Sequence, residues 1–414
     1  MSDRGATVVD VAIVGGGLVG ASLALALSGT GKSIALIEAV PTDAASQPSF
    51  DDRTSALGNG TKRIFETLGV WSHLAAGAGA VSEIRVTEAG RLGAARLCAA
   101  EQGLEALGFV VPNRLLGRAL WQRLGEHPEL HIRCPARVRE VHLEADGVRL
   151  ALDAQALGTK ATSAPELVSA RLVVAADGAQ SLVRAAAGIG ALVEDYHQVA
   201  VVVHLSTDRP SAGIAYERFT ASGPLAVLPL ADGRYTVVWT LSPEQATEVL
   251  ALNDQAFLEE FQRSFGWRIG RVLQVGARGS YPLRLSRAES LAGQRAVLVG
   301  NAAQALHPVA GQGFNLGLRD AALLAEIIAP AADPGAPAVL ESFERRRRAD
   351  RRSMIGFTDG LVKLFASDKP GASAARTIGM LLFDVSPGAK RALSRLSWGF
   401  GGDTPRLMRG LPVA

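Results

Sequence analysis

The chain has 414 residues, 48% of them hydrophobic and 20% charged, with 43 Lys and Arg against 40 Asp and Glu. At roughly 150 residues per domain this allows two or three domains, or one large α/β core with an insertion, and it excludes a disordered or collagen-like chain. A formal charge of +3 gives no reason to expect nucleic acid as a partner, and the two separated cysteines, Cys98 and Cys134, exclude a disulfide framework, a C-x-x-C redox centre and a cysteine zinc site, which fits a reducing cytosol.

Residues 8–14 predict a short apolar strand, residues 15–17 a glycine turn, residues 21–27 a helix, and residues 33–37 a second strand that ends at Glu38. The longest uncharged run, residues 11–31, encloses those glycines and follows Asp3, Arg4 and Asp10, so neither a signal peptide nor a membrane anchor is expected. Gly15-x-Gly17-x-x-Gly20 thus stands between a strand and a helix, the setting of a dinucleotide fingerprint. Gly15 allows the tight turn, Gly17 the approach of backbone N–H groups to a pyrophosphate, Gly20 close packing of helix on strand, and Glu38 can accept from a ribose hydroxyl. The stretch Gly29-Thr-Gly-Lys-Ser33 mimics a phosphate loop, but it follows a helix and leads into a strand, the reverse of the required order.

Further along, helices are expected at 61–68 and 116–124, paired strands at 138–152 around Asp146-Gly147, a loop at 163–165, and a buried strand at 171–176 ending at Asp177-Gly178. Residues 199–205, 225–230 and 235–241 form a β-rich block that reads as a separate sheet; 296–299 is a last parallel strand, 316–328 a helix after a glycine-rich turn, and the chain after Pro330 is mostly helical. The arginines at 345–348, 351 and 352 predict a solvated helix face, with Glu341 and Glu344 four residues before Arg345 and Arg348, and anionic lipid docking is the sharper alternative. Met354, Ile355, Phe357, Leu361, Leu364 and Phe365 form an apolar stripe for core packing, a partner helix or a membrane surface. No H-E-x-x-H spacing and no G-x-S-x-G elbow occur, so neither a metal site nor a serine esterase is expected.

The glycine fingerprint alone does not separate NAD from FAD. Asp177-Gly-Ala-Gln-Ser181-Leu-Val-Arg184 resembles the D-G-x-x-S-x-x-R stretch of class A FAD-dependent aromatic monooxygenases, and Gly300-Asn-Ala-Ala-Gln-Ala-Leu-His-Pro308 with Gly311-Gln-Gly-Phe-Asn315 resembles their second FAD motif. Phe50-Asp-Asp-Arg53 and the N-terminal glycines complete four motifs in order along most of the chain. Where most members carry Gly-Asp-Ala-Ala-His, this chain has Gly300-Asn301-Ala-Ala-Gln304; with Pro282-Leu and Gly356-Phe-Thr-Asp-Gly-Leu-Val, that variant resembles the ubiquinone-biosynthesis branch. The departure replaces an expected acid near the ribityl chain by an amide, which accepts or donates.

The resemblance implies an α/β fold with a Rossmann-like FAD-binding domain of the glutathione-reductase and p-hydroxybenzoate-hydroxylase kind, an inserted β-rich substrate domain and a helical C-terminal region. The expected division gives the FAD-binding domain residues 1–75, 101–189 and 277–345, the substrate domain residues 76–100 and 190–276, and the helical region residues 346–414. To the fingerprint residues Gly15, Gly17, Gly20 and Glu38 the resemblance adds Arg53, Asp177, Gly178, Asn301, Pro308, Gly311, Gln312, Gly313 and Asn315 as cofactor-binding residues. Asp177 reads equally as a helix N-cap, Arg53 as a surface cation, and His307 as structural or as touching the ring or substrate; no catalytic residue is assigned. The implied reaction has NAD(P)H, a transient co-substrate, reduce FAD, and O2 add to the flavin; the hydroperoxide then passes one oxygen to a polyprenylated phenol, 2-polyprenyl-6-methoxyphenol. Such a substrate implies a cytoplasmic protein in peripheral contact with the inner face of the membrane and with a ubiquinone-biosynthesis complex. A reductase or dehydrogenase of the same fold and a non-catalytic FAD-binding assembly protein are the alternatives.

Overall fold

A computed structural model describes residues 7–42, 47, 49–91, 93–154, 166–365, 372–399 and 403–413; the loop expected at 163–165 lies outside them. Five strands pair in parallel in the order Ala296–Leu298, Glu166–Ala175, Thr7–Val14, Ile34–Ile37, His131–Arg133. The hairpin of Ala136–Leu143 and Val148–Ala154 joins this sheet antiparallel to Glu166–Ala175. Parallel strands are covered on both faces, which is why Val11 to Val14 and Ile34–Ile37 are unbroken apolar runs, buried throughout. The helices Leu18–Leu27, Asn113–Leu124 and Gln312–Ile328 share the core of this layer.

A second sheet runs Gln304–Ala305, Gly279–Ala288, Ala191–Thr207, Tyr235–Leu241, Gly223–Pro229, Ile214–Thr220, Glu83–Glu88, Ala94–Cys98, with Val272–Val275 also on Ala191–Thr207. Residues 76–100 reach it through parallel pairing of Glu83–Glu88 with Ile214–Thr220. The sheet also takes in Gly279–Ala288, beyond the 276 boundary of the sequence reading. Two helices that periodicity did not single out, Pro243–Ala251 and Asp254–Phe265, cover it: Ser242 and Gln245 close a capping box, and Phe257, Phe261 and Phe265 recur every four residues, the first two against Trp239 and the third against Tyr216. A small antiparallel sheet, Thr54–Gly58, Gly108–Pro112 and Gly79–Val81, completes the β structure.

The helices Pro337–Phe365, Ala372–Asp384 and Pro387–Ser397 follow. The arginine run is not the solvated face expected of it. Only Arg345, Arg348 and Arg352 are exposed, whereas Arg347 is buried, with Nε 2.6 Å from Asp320 Oδ1 and Nη1 2.6 Å from Asp350 Oδ2. Arg319 meets Asp350 at 3.1 Å, Arg346 meets Glu326 at 2.9 Å, and Glu344 accepts from Ser290 at 3.2 Å instead of serving Arg348. The reason is the neighbouring helix, Gln312–Ile328, which presents Asp320 to this face and draws every third or fourth arginine inward.

Candidate active site

Strand register brings the motifs together. Val14, Ile37, Ala175 and Leu298 are aligned across the parallel sheet, so Gly15, Glu38, Asp177 and Gly300 all follow at its carboxyl end, where open α/β sheets bind ligands. Gly15 has φ +101°, and a Cβ there would overlap the Ala176 carbonyl; a Cβ on Gly20 would overlap the Gly15 carbonyl. Gly17 is the N-cap of Leu18–Leu27 without a side-chain cap, which leaves the first helical N–H groups for an anion.

Glu38, 8% exposed, has a second task that the spacing did not reveal. Its Oε2 accepts from Gly16 N–H at 2.7 Å and its Oε1 from Val40 N–H at 2.8 Å, while Trp121 Nε1 donates to the Gly16 carbonyl at 3.0 Å. Gln47 Nε2 also donates to Oε1, at 3.4 Å; the acid therefore shapes the glycine loop, and Oε2 keeps lone-pair capacity for a hydroxyl.

Asp177 helps to cap the helix that follows, although its N-cap residue is Ser181. Oδ2 accepts from Leu182 N–H at 2.8 Å and Val183 N–H at 3.4 Å, whereas Oδ1 is buried without a protein partner among the described residues. Burial pushes this carboxyl up, against the pull of Ser181 and the backbone N–H groups. Gly178, at φ +88°, has open space around its Cα. Asn301 is exposed in the Gly300–Ala302 turn, and Arg184 ties that turn to the Asp177 segment through the Ala302 carbonyl at 3.0 Å.

The second glycine turn approaches from the other helix. Gly311, at φ +60°, caps Gln312–Ile328 without a side-chain bond, Gly313 has no atom within 4 Å of its Cβ position, and Gln312 is buried between them. Asn315 is spoken for within the protein: Nδ2 donates to Ala56 O at 2.8 Å and Gly311 O at 2.9 Å, and Oδ1 accepts from Gly58 N–H at 2.9 Å and Thr61 Oγ1 at 2.7 Å. Both donors and both lone pairs are used, so its side chain fastens the Thr54–Gly58 strand to the glycine turn. Arg53 is held by Asp51 at 2.6 Å and lies 4.7 Å from the Tyr281 ring centre.

His307 accepts from Val309 N–H at Nδ1, 3.1 Å, which places the proton of the neutral ring on Nε2, buried and unpartnered among the described residues. Burial lowers its pKa to about 4, and the Tyr196 ring meets it edge-on at 5.3 Å. His307 and Pro308 open onto a cavity of about 740 Å³ that runs from the Gly311–Asn315 turn along Thr54–Gly58 and the second sheet to Phe357, Leu361, Met380 and Phe383 of the C-terminal helices. The stripe that begins at Met354 is therefore largely interior: Met354 and Ile355 are core, and Phe357, Leu361 and Phe365 line the cavity together with Leu364, which is half exposed at its rim. Sequence reasoning missed the one acid on the wall, Glu217, along with Arg96, Arg376 and Ser394; the signal for Glu217 was an acid on the Ala215 and Phe219 face of an alternating strand.

These features fit FAD. Uncapped helix N-termini meet phosphates, Asp177 Oδ1 lacks a hydroxyl donor, and the open Gly313 leaves room for a planar ring. Among the described residues no cluster suits a metal ion.

The family model for an FAD binding domain matches residues 8–358. Over 98% of its length the chain is 40% identical to a ubiquinone hydroxylase of Rhodospirillum rubrum, of which 94% is covered. It is 33% identical, over 94% of this chain and 98% of the relative, to 3-demethoxyubiquinol 3-hydroxylase of Escherichia coli. The crystal structure of p-nitrophenol 4-monooxygenase from Pseudomonas putida superposes with a TM-score of 0.76 at 21% identity, covering 96% of this chain and 99% of that one, so the fold is that of the FAD-dependent aromatic hydroxylases, as the motifs implied. Motif geometry and family match converge on one conclusion: the chain belongs to the FAD-binding domain family.

Proposed function

We propose that the chain is an FAD-dependent monooxygenase that uses NAD(P)H and O2 to hydroxylate a polyprenylated phenol, 2-polyprenyl-6-methoxyphenol, in ubiquinone biosynthesis. The observation that carries this reading is the cavity: it begins at the flavin motif and continues between sheet and C-terminal helices as an almost wholly apolar space, suited to a ring with a prenyl chain. The names of the relatives support it. Bound FAD would take a hydride from NAD(P)H and supply the oxygen chemistry. The chain's own part is to hold the phosphates at Gly17, meet the electron-rich flavin edge with the backbone N–H groups of the Gly311–Asn315 turn, accept a flavin-chain hydroxyl at Asp177, and exclude water with walls such as Phe219, Leu228 and Phe365.

The prenyl chain extends the proposal to a membrane surface. Ala372–Asp384 lines the cavity with Met380 and Phe383, and turns Ile378, Leu381 and Leu382, with Val385 just beyond, outward at 50–76% exposure. This outer face, rather than the arginine run, is the proposed peripheral contact with the cytoplasmic side of the bilayer. Among the described residues no helix is long and apolar enough to cross a membrane.

The test is anaerobic mixing of FAD-loaded protein with NADPH, with and without 2-polyprenyl-6-methoxyphenol, followed by oxygen and product analysis. Substrate-stimulated reduction and a hydroxylated product are expected. Reduction with oxygen-independent turnover and no oxygen transfer would establish a reductase instead, and flavin that NADPH never reduces would leave an assembly protein.

A further inference from the structure

Strand Ile214–Thr220 lies inside the second sheet, between Gly223–Pro229 and Glu83–Glu88. Alternation places Ala215, Glu217 and Phe219 on one face, and all three line the cavity. Glu217 is the one carboxylate among the described residues that do so; the other ionisable side chains there are Arg96, Tyr216, His307 and Arg376. Three of these are otherwise engaged, Arg376 with Glu88 at 2.7 Å, Arg96 with Glu101 at 3.6 Å and His307 with Val309 N–H. Glu217 Oε1 is buried and has no hydrogen-bond partner among the described residues. An unpartnered carboxyl on an apolar wall is costly unless a ligand completes it.

We infer that Glu217 is a catalytic residue that receives the hydroxyl of the aromatic substrate: the ring O–H donates to the carboxylate, and its proton passes to Glu217 as the ring is attacked. One O–H bond breaks and one forms on the carboxyl oxygen; the pair of electrons left on the ring oxygen raises electron density at the carbons beside and opposite it, where an electrophilic oxygen adds. The inference rests on the reading that the cavity takes a phenol. It has electrostatic support, because burial alone pushes the Glu217 carboxyl up to about 7. That brings its proton affinity toward that of a phenol, near 10, and makes it a base suited to neutral pH.

The experiment compares FAD-loaded wild type with Glu217→Gln, which keeps the shape and cannot take the proton. Hydroxylation of 2-prenyl-6-methoxyphenol is followed from about pH 5.5 to 8.5, and binding of this phenol and of its O-methyl ether is followed by flavin fluorescence. The expected result is a fall in kcat of about 100-fold, loss of the ionisation near neutrality from the pH profile, and diversion of the consumed NADPH to hydrogen peroxide. Wild type should bind the phenol at least about tenfold more tightly than the ether, and Glu217→Gln, whose amide oxygen still accepts from the hydroxyl but carries no charge, should narrow that preference. Unchanged turnover and profile in the variant, or a wild type indifferent to methylation of the hydroxyl, would overturn the assignment. A wild type that prefers the phenol and never hydroxylates it would overturn the monooxygenase reading alone, with the binding comparison still deciding the role of Glu217; that comparison in the wild type also holds if the variant does not fold.

Discussion

Gln304 donates from Nε2 to Asp320 Oδ2 at 2.6 Å, deep in the interior, and its Oε1 accepts from Arg351 Nε at 2.9 Å. The amide is thus the link between a buried acid on one helix and an arginine on the next. It occupies the position where most of the resembling family carries histidine, and here an amide serves both partners without a charge of its own. Burial pushes the Asp320 carboxyl up, and Arg347 and Gln304 pull against it. Gln304→Leu strips both bonds at once and leaves the partners in place. A loss of about 2–4 kcal/mol in urea unfolding is expected, and a loss below about 0.5 kcal/mol would show that water replaces the amide.

Two glycines should respond in opposite ways. Gly20→Ala drives a methyl into the Gly15 carbonyl and disturbs the loop itself, so the purified protein should lack FAD and melt lower. Gly313→Ala meets no protein atom within 4 Å; its apoprotein should melt like wild type while FAD affinity falls about tenfold or more, by about 1.4 kcal/mol or more. Flavin-to-protein ratio and apoprotein melting temperature separate the two cases.

Asn315→Ala removes four hydrogen bonds from a residue 3% exposed. A destabilisation of about 2–4 kcal/mol is expected, with Thr54–Gly58 loosened, so amide exchange at Gly58 should rise more than exchange along Thr7–Val14. Uniform exchange would contradict the fastening role.

His307 titrates near 4 in the folded chain, against about 6.5 when unfolded. Between those values the unfolded chain binds a proton that the folded one refuses, so stability is complete above about pH 6.5 and declines as pH falls toward 4. The contribution is on the order of 3 kcal/mol across that window. Comparing denaturation of wild type and His307→Gln at pH 7 and pH 4.5 checks the sign: the gap between the two curves should narrow or invert on acidification.

The outer face of Ala372–Asp384 predicts a membrane effect free of any change in chemistry. Leu382→Asp and Val385→Asp should abolish cosedimentation with vesicles of anionic and zwitterionic lipids, while turnover of a short-chain substrate in detergent stays within about twofold of wild type. Arg345→Ala and Arg348→Ala should leave cosedimentation unchanged.

The parts of the site that were readable in sequence are those where backbone geometry restricts the residue. Gly15, Gly20 and Gly311 announce themselves because only glycine tolerates the φ or the contact. The Asp177 position was readable from the strand before it and the turn after it, but which of its oxygens stays open depends on helix 182–186 folding back. Glu38 was located by spacing, yet its bonds to Gly16 and Val40 belong to the loop's path. The arginines misled because charge pattern along one helix says nothing of the helix beside it, and Asp320 faces them across that gap. The pair Pro243–Ala251 and Asp254–Phe265 lay hidden in a stretch dominated by strand-forming neighbours, although Ser242-Pro243 and the phenylalanine spacing carry the helical signal.

The cavity has a temporal side. Its floor is laid down by Thr54–Gly58 and Ile214–Thr220, but Met380, Phe383 and Trp398 come from much later in the chain. Gly60 itself is covered by Met408 and the Trp398 carbonyl, both from the end of the chain. On the ribosome, then, the cavity side of the second sheet emerges before the C-terminal helices that cover it, and the nascent protein carries an open apolar trough for as long as translation of the last quarter takes.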